Sequence, residues 1–183
     1  IESLSTDCHC HSHTHNFENS VDSKSEINTS FSKFYDYFGS KPIGYRAPQG
    51  VLKSGDIDSI LKCGFRFSSS VFPSLRPFVF NNLALPRKPF FYENGLIEIP
   101  FATLSKIRFI ISISYIKIYG WKNFEKLLSV SELPNLLVID SHLHDFLFNK
   151  KTYDTLPAKL RLVYRRNYNE GFTILYKLVN LLK

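Results

Sequence analysis

Apolar side chains recur at helical spacing early in the chain. Across residues 21–39, Ile27, Phe31, Phe34 and Phe38 are four, three and four apart, and Gly39 closes the run, so the pattern predicts an amphipathic helix with that stripe inward. KPIGYRAP then predicts a short extended piece around Ile43 to Tyr45, with Pro48 holding Ala47 extended. Ser54 or Asp56 is placed to cap a second helix that runs through Leu61 and stops at Gly64. FRFSSSVF and GLIEIPFA read as strands. A helix is expected over Asn123 to Val130, a buried strand at NLLVIDSH, and helices over Tyr153 to Tyr164 and Phe172 to Leu182. Residues 74–92, SLRPFVFNNLALPRKPFFY, break the alternation with three prolines and read as a rim insertion whose aromatics are partly exposed for a partner.

Helices alternating with short apolar strands indicate an α/β fold with chemistry at the strand ends. The chain has 183 residues with 44% hydrophobic and 21% charged positions, 8 Gly and 9 Pro. That is enough for one domain, residues 1–183, to bury a core without staples. Three cysteines do not make a disulfide framework. Cys8-x-Cys10 with a distant Cys63 lacks the second pair that a structural zinc site needs.

The net charge of +7 is uneven. Residues 1–60 carry 5 basic and 8 acidic side chains, and residues 61–183 carry 18 and 8. The basic part could attract an anionic polymer or membrane surface. Lys150 and Lys151, and Arg165 and Arg166, are too short as runs and lack interleaved stacking aromatics, which argues against nucleic acid. FIISISYIKIYGW is apolar, but Arg108 and Lys117 bracket far fewer than the roughly 20 residues that span a bilayer, so no transmembrane segment is expected. The first residues show no basic start followed by an apolar stretch, so no signal peptide is visible, and a cytoplasmic location is slightly favoured for the visible chain.

All six histidines fall in two groups. His9, His11, His13 and His15 alternate, and His142 and His144 repeat that spacing. If residues 9–15 are extended, one face presents four imidazoles; if a helical turn begins at His11, then His11 and His15 share a face. Either arrangement suits a divalent metal with nitrogen ligands. Asp7-Cys-His9-Cys-His11 and Asp140-Ser-His142-Leu-His144 resemble the strand-end motif of the amidohydrolases and of the polymerase-and-histidinol-phosphatase metal hydrolases.

Three segments in order resemble the NodB-type polysaccharide deacetylases. His11-Ser12-His13-Thr14-His15 matches their H-[ST]-x-x-H metal motif, Gly44-Tyr45-Arg46-Ala47-Pro48-Gln49-Gly50 their R-x-P segment, and VIDSHLHDF their late histidine motif. GLIEIPFAT is similar to a strand before the later active-site loops. The resemblance implies a distorted, partly incomplete (β/α) barrel. It also implies one divalent metal ion, usually zinc, held by His11, His15 and a carboxylate. Two imidazoles and a carboxylate leave positions for water and an acetyl oxygen. His142 would be the catalytic acid that protonates the departing sugar amine, with His144 and Asp145 as the competing register. Arg46 suits the holding of an active-site carboxylate, Pro48 shapes its turn and Tyr45 lines the groove. Glu98 is expected to face solvent, and Phe101 and Trp121 to be core aromatics.

The implied activity is metal-dependent removal of N-acetyl groups from an acetylated amino sugar or polysaccharide. The alternatives are a catalytically inactive carbohydrate-binding relative and a metal-dependent hydrolase of the amidohydrolase or polymerase-and-histidinol-phosphatase type. Relative to the family, the first strand and its helix, with the paired aspartates that supply general base and third ligand, are expected to be missing from a chain that has no Met and opens at Ile1. Asp7 falls in the approach to the histidine motif, outside the aspartate motif.

Overall fold

The computed structural model describes residues 9–14, 22–53 and 55–181. The chain divides into two compact units, Ile1–Phe101 and Ala102–Lys183.

Unit 1 begins with the expected amphipathic helix, α1 (Ser23–Phe38), N-capped by Asp22, whose carboxylate accepts the Lys24 N–H, and closed by Gly39 in the left-handed conformation (φ 67°). Its stripe is only partly inward. Ile27 is buried and Phe31 and Phe34 are half-buried, whereas Phe38 is 51% exposed and packs on Phe34. After β1 (Gly44–Tyr45) comes α2 (Asp56–Cys63), stopped by Gly64 as predicted. Its N-cap is Gly55, with Asp56 inside the first turn taking the Lys53 N–H at 2.7 Å; Ser54 lies outside the described residues.

The remaining strands of unit 1 are β2 (Phe67–Ser68), β3 (Leu75–Arg76), β4 (Phe80–Asn81), β5 (Phe90–Phe91) and β6 (Ile97–Glu98). Four of them form one mixed sheet in the order β1-β2-β6-β5. The β1–β2 and β2–β6 pairs are parallel, and β5 runs antiparallel to β6. Among the described residues the sheet does not close. Cys10 adds a bridge outside β1: its N–H reaches the Gly44 carbonyl at 3.2 Å and its carbonyl accepts the Arg46 N–H at 2.9 Å. β3 and β4 make a separate antiparallel hairpin. The core gathers Cys10, Ile27, Tyr45, Ile60, Phe65 and Leu96 between the sheet and the two helices.

The expectation of a solvent-facing Glu98 is overturned. Glu98 is fully buried, and its carboxylate accepts the N–H groups of Ser70 and Val71 at 2.7 and 2.8 Å. Burial alternates along this segment, with Leu96, Glu98 and Pro100 buried and Ile97 and Ile99 half-buried, so the carboxylate shares the more deeply covered face. A buried carboxylate held by backbone donors is satisfied there.

Unit 2 is mostly helical: α3 (Ile113–Tyr119), α4 (Trp121–Ser129), α5 (Leu143–Phe146), α6 (Lys150–Thr155), α7 (Ala158–Arg165) and α8 (Gly171–Leu181). Ile113, Ile116, Phe124, Ile174 and Leu178 form its core, with Trp121 packed against them. Two expectations are corrected. NLLVIDSH forms no strand beyond a single bridge between Asp140 and Ser112: the Val138 carbonyl accepts the Ala102 N–H at 2.9 Å, and the stretch beside Asp140 turns into α3 after Ser112. The helix expected over 153–164 is two helices, since Pro157 pushes Leu156 extended (ψ 146°) and provides no N–H to continue the ladder. No described helix is long and apolar enough to cross a membrane.

Candidate functional site

The first histidine group is extended only at its start. Residues 9–11 run beside β1, so Cys10 points into the core while His9 and His11 are exposed. Ser12 then takes φ 62°, a left-handed value uncommon for a side-chain-bearing residue, and the path bends through His13 and Thr14. His15 lies outside the described residues. His9 meets Phe67 edge-on at 5.1 Å.

Glu26, in the first turn of α1, secures that bend. Its carboxylate accepts the Ser12 hydroxyl at 2.9 Å, the Thr14 N–H at 2.8 Å and the Thr14 hydroxyl at 3.0 Å. Burial raises the Glu26 pKa, but these donors together with the His13 N–H outweigh it and leave the net value below the ordinary one. Nothing in the sequence marked Glu26 beyond its place four residues after the capping Asp22.

His11 is tied to the R-x-P segment. Its Nδ1 lies 3.0 Å from the Arg46 carbonyl oxygen. A carbonyl can only accept, so Nδ1 is the donor, and in the neutral ring this is the tautomer in which histidines ligate metals through Nε2 with a backbone carbonyl behind them. Arg46 is held in turn. Its Nε donates to the Ser69 carbonyl at 2.9 Å and an Nη to the Ser69 hydroxyl at 3.0 Å, and its guanidinium lies 4.4 Å over the Phe101 ring. The Ser70 hydroxyl accepts the Ala47 N–H at 2.9 Å, and the Ser69 hydroxyl donates to the Ile99 carbonyl at 2.8 Å. This lattice sits just past the carboxyl ends of β1, β2 and β6, where open α/β sheets place ligands.

Tyr45 and Pro48 are buried and line a shallow cleft with Ser12, Glu26, Lys53 and Asp56. Burial, then the Asp56 carboxylate, raises the Tyr45 phenol pKa, with the Ser12 hydroxyl opposing. Cys10 is buried and its Sγ donates to the Ser30 carbonyl at 3.6 Å. Burial pushes its thiol up to about 11, which suits a packing role and not a thiolate ligand.

The second group is in unit 2. The His142, His144 and Asp145 ligand atoms all lie within 4.8 Å of one another, and the three can coordinate a divalent metal. His142 is exposed and stacks on His144 at 4.9 Å. Its Nδ1 is 3.9 Å from both Asp140 Oδ2 and Asp145 Oδ2, beyond direct hydrogen-bond reach. His144 lies half-buried between His142 and Tyr164, whose ring is 4.6 Å away. Burial lowers its pKa and Asp145 opposes the shift.

Asp145 organises this group. It is 1% exposed, and its carboxylate accepts the Ser114 hydroxyl at 2.6 Å and the His142 backbone N–H at 2.8 Å. The buried Lys117 has its ammonium 4.0 Å from Asp145 Oδ1 and donates to the Asp145 carbonyl at 3.0 Å. In the sequence Lys117 marks only the end of an apolar run. Its signal was a lone cation at helical spacing among isoleucines.

No family model matches the sequence, and no curated protein matches it significantly. Among solved structures the chain is similar to the crystal structure of a putative polysaccharide deacetylase from Mycobacterium smegmatis, with 14% identity and a TM-score of 0.42. The match covers 66% of this chain and 44% of that one, a likeness too slight to assign fold or activity.

Proposed function

We propose that the protein is a metal-dependent hydrolase that removes N-acetyl groups from an acetylated amino sugar or polysaccharide. The observation that carries this reading is the hydrogen bond from His11 Nδ1 to the Arg46 carbonyl, which ties the histidine motif to the R-x-P segment and leaves Nε2 as the ligating nitrogen. In unit 1, His11 and His15 hold the ion, and the nitrogen donors suit zinc. A bound ion would supply an activated water and polarise the acetyl carbonyl. Arg46 orients His11 through its backbone oxygen while Ser69 and Phe101 fix its guanidinium. Tyr45 and Pro48 shape the cleft wall. By the same resemblance His142 is the acid that would protonate the departing amine, and the Asp145 carboxylate holds its backbone N–H at 2.8 Å.

A second reading rests on the His142, His144 and Asp145 cluster. There the ion belongs to unit 2, and the protein is a metal hydrolase of the amidohydrolase type, whose Asp-x-His-x-His motif Asp140, His142 and His144 resemble. One experiment separates the two: zinc content after dialysis, with acetate release from N-acetylglucosamine oligomers, for the wild type, His11→Ala and His144→Ala. The first reading expects His11→Ala to lose zinc and acetate release while His144→Ala keeps the ion. The reverse pattern supports the second, and a wild type that neither binds metal nor releases acetate refutes both.

A further inference from the structure

The β3–β4 hairpin shows an apolar tip to solvent. Arg76, Pro77, Phe78 and Val79 form its turn, closed by the Val79 N–H on the Arg76 carbonyl at 3.0 Å. Phe78 sits third in that turn at φ 64°, a position that favours glycine, and its side chain is 109% exposed. Leu75 at 51% and Val79 at 40% are exposed beside it. A strained backbone that holds a large aromatic wholly in water stabilises nothing inside the fold, and strain of this kind marks functional segments.

The base of the hairpin is firmly set. Phe80 stacks on Phe72 at 6.0 Å, and Phe72 stacks on the buried Phe101 at 3.9 Å. The tip is thus presented on a packed base. Residues 74–92 contain Arg76, Arg87 and Lys88 and no acidic residue, and Arg76 and Lys88 are exposed.

We propose that this hairpin docks the protein on an anionic lipid bilayer, with Phe78, Leu75 and Val79 entering the headgroup boundary and the cations of residues 74–92 meeting the lipid phosphates and carboxylates. An apolar tip in a segment whose charges, Arg76, Arg87 and Lys88, are all positive complements a surface that is apolar below and negative above. A protein partner would need acidic groups around a pocket for Phe78, whereas a bilayer offers both features without a matching shape.

The test is co-sedimentation of the full chain with vesicles of phosphatidylcholine alone and of phosphatidylcholine with phosphatidylserine. Binding is expected only with the anionic vesicles, and Arg76→Gln or Lys88→Gln should each weaken it about fivefold, the effect of one surface cation. Phe78→Gly relieves the backbone strain, so it should leave Tm unchanged or higher while weakening binding about tenfold, since one aromatic side chain no longer leaves water. The chain has one tryptophan, so Phe78→Trp adds a single new indole, whose emission should shift to the blue on binding and be quenched by brominated lipid tails. Failure to bind either vesicle overturns the proposal, as does binding that Phe78→Gly leaves intact, which would mean attraction by net charge alone. Neither result bears on zinc content or acetate release.

Discussion

Replacing Asp145 by alanine should destabilise unit 2 by about 3–5 kcal/mol, the usual result of leaving a buried charge without its partner. At the observed 4.0 Å between Lys117 Nζ and Asp145 Oδ1, attraction at an effective dielectric constant near 20 is about 4 kcal/mol, partly offset by desolvation. The substitution also strands the Ser114 hydroxyl and the His142 N–H, which Asp145 now satisfies. Against a total stability of about 5–15 kcal/mol, that is a large fraction. The chain's single tryptophan, Trp121, belongs to unit 2, so urea titration followed by its emission reads this unit directly. Asp145→Asn should fall between, because it keeps an acceptor and loses the charge. The sharper check is the pair: Lys117→Met in the Asp145→Asn background removes both charges and should recover at least half of the loss. If Asp145→Ala costs under about 1 kcal/mol, or if the Lys117 and Asp145 substitutions add to within about 0.5 kcal/mol, the ion pair does not hold this group together and the reasoning fails.

Two further outcomes follow from close packing and burial. Gly171→Ala should lower stability by about 1–3 kcal/mol in the same titration although alanine favours helix, because the new Cβ would fall on the Asp145 carbonyl oxygen and 2.8 Å from its carbonyl carbon; a stabilised variant would show that α8 and α5 separate freely. The Cys10 thiol, pushed up to about 11 by burial, is protonated at pH 8, so iodoacetamide followed by peptide mass mapping should leave it unmodified in the native protein and alkylate it in urea; rapid native labelling would contradict its buried placement.

Elements whose cues are local were legible in the sequence. The four-three-four spacing and Gly39 delimit α1, Gly64 ends α2, and Pro157 divides α6 from α7 by a signal that was present and unused. The histidine groups were also visible in the sequence by their spacing, although the path of the first turns away at Ser12 and the rings of His142 and His144 meet by stacking at the start of α5. Side-chain direction was legible only where one face of an element meets water: Cys10 and His11 alternate as extended residues do, whereas Glu98 in the same pattern is buried, since its partners are the N–H groups of Ser70 and Val71 just past the end of β2.

What the tertiary structure alone decided is which groups meet across long separations. The His11 tautomer depends on a carbonyl 35 residues away, Arg46 is held through Ser69 and Phe101, and Lys117 finds Asp145 across 28 residues. Local sequence sets dihedral preference and amphipathic period, because those depend on neighbours along the chain. Tautomer, ion pairing and burial depend on neighbours in space, and these exist only once the strands are in register and the helices packed.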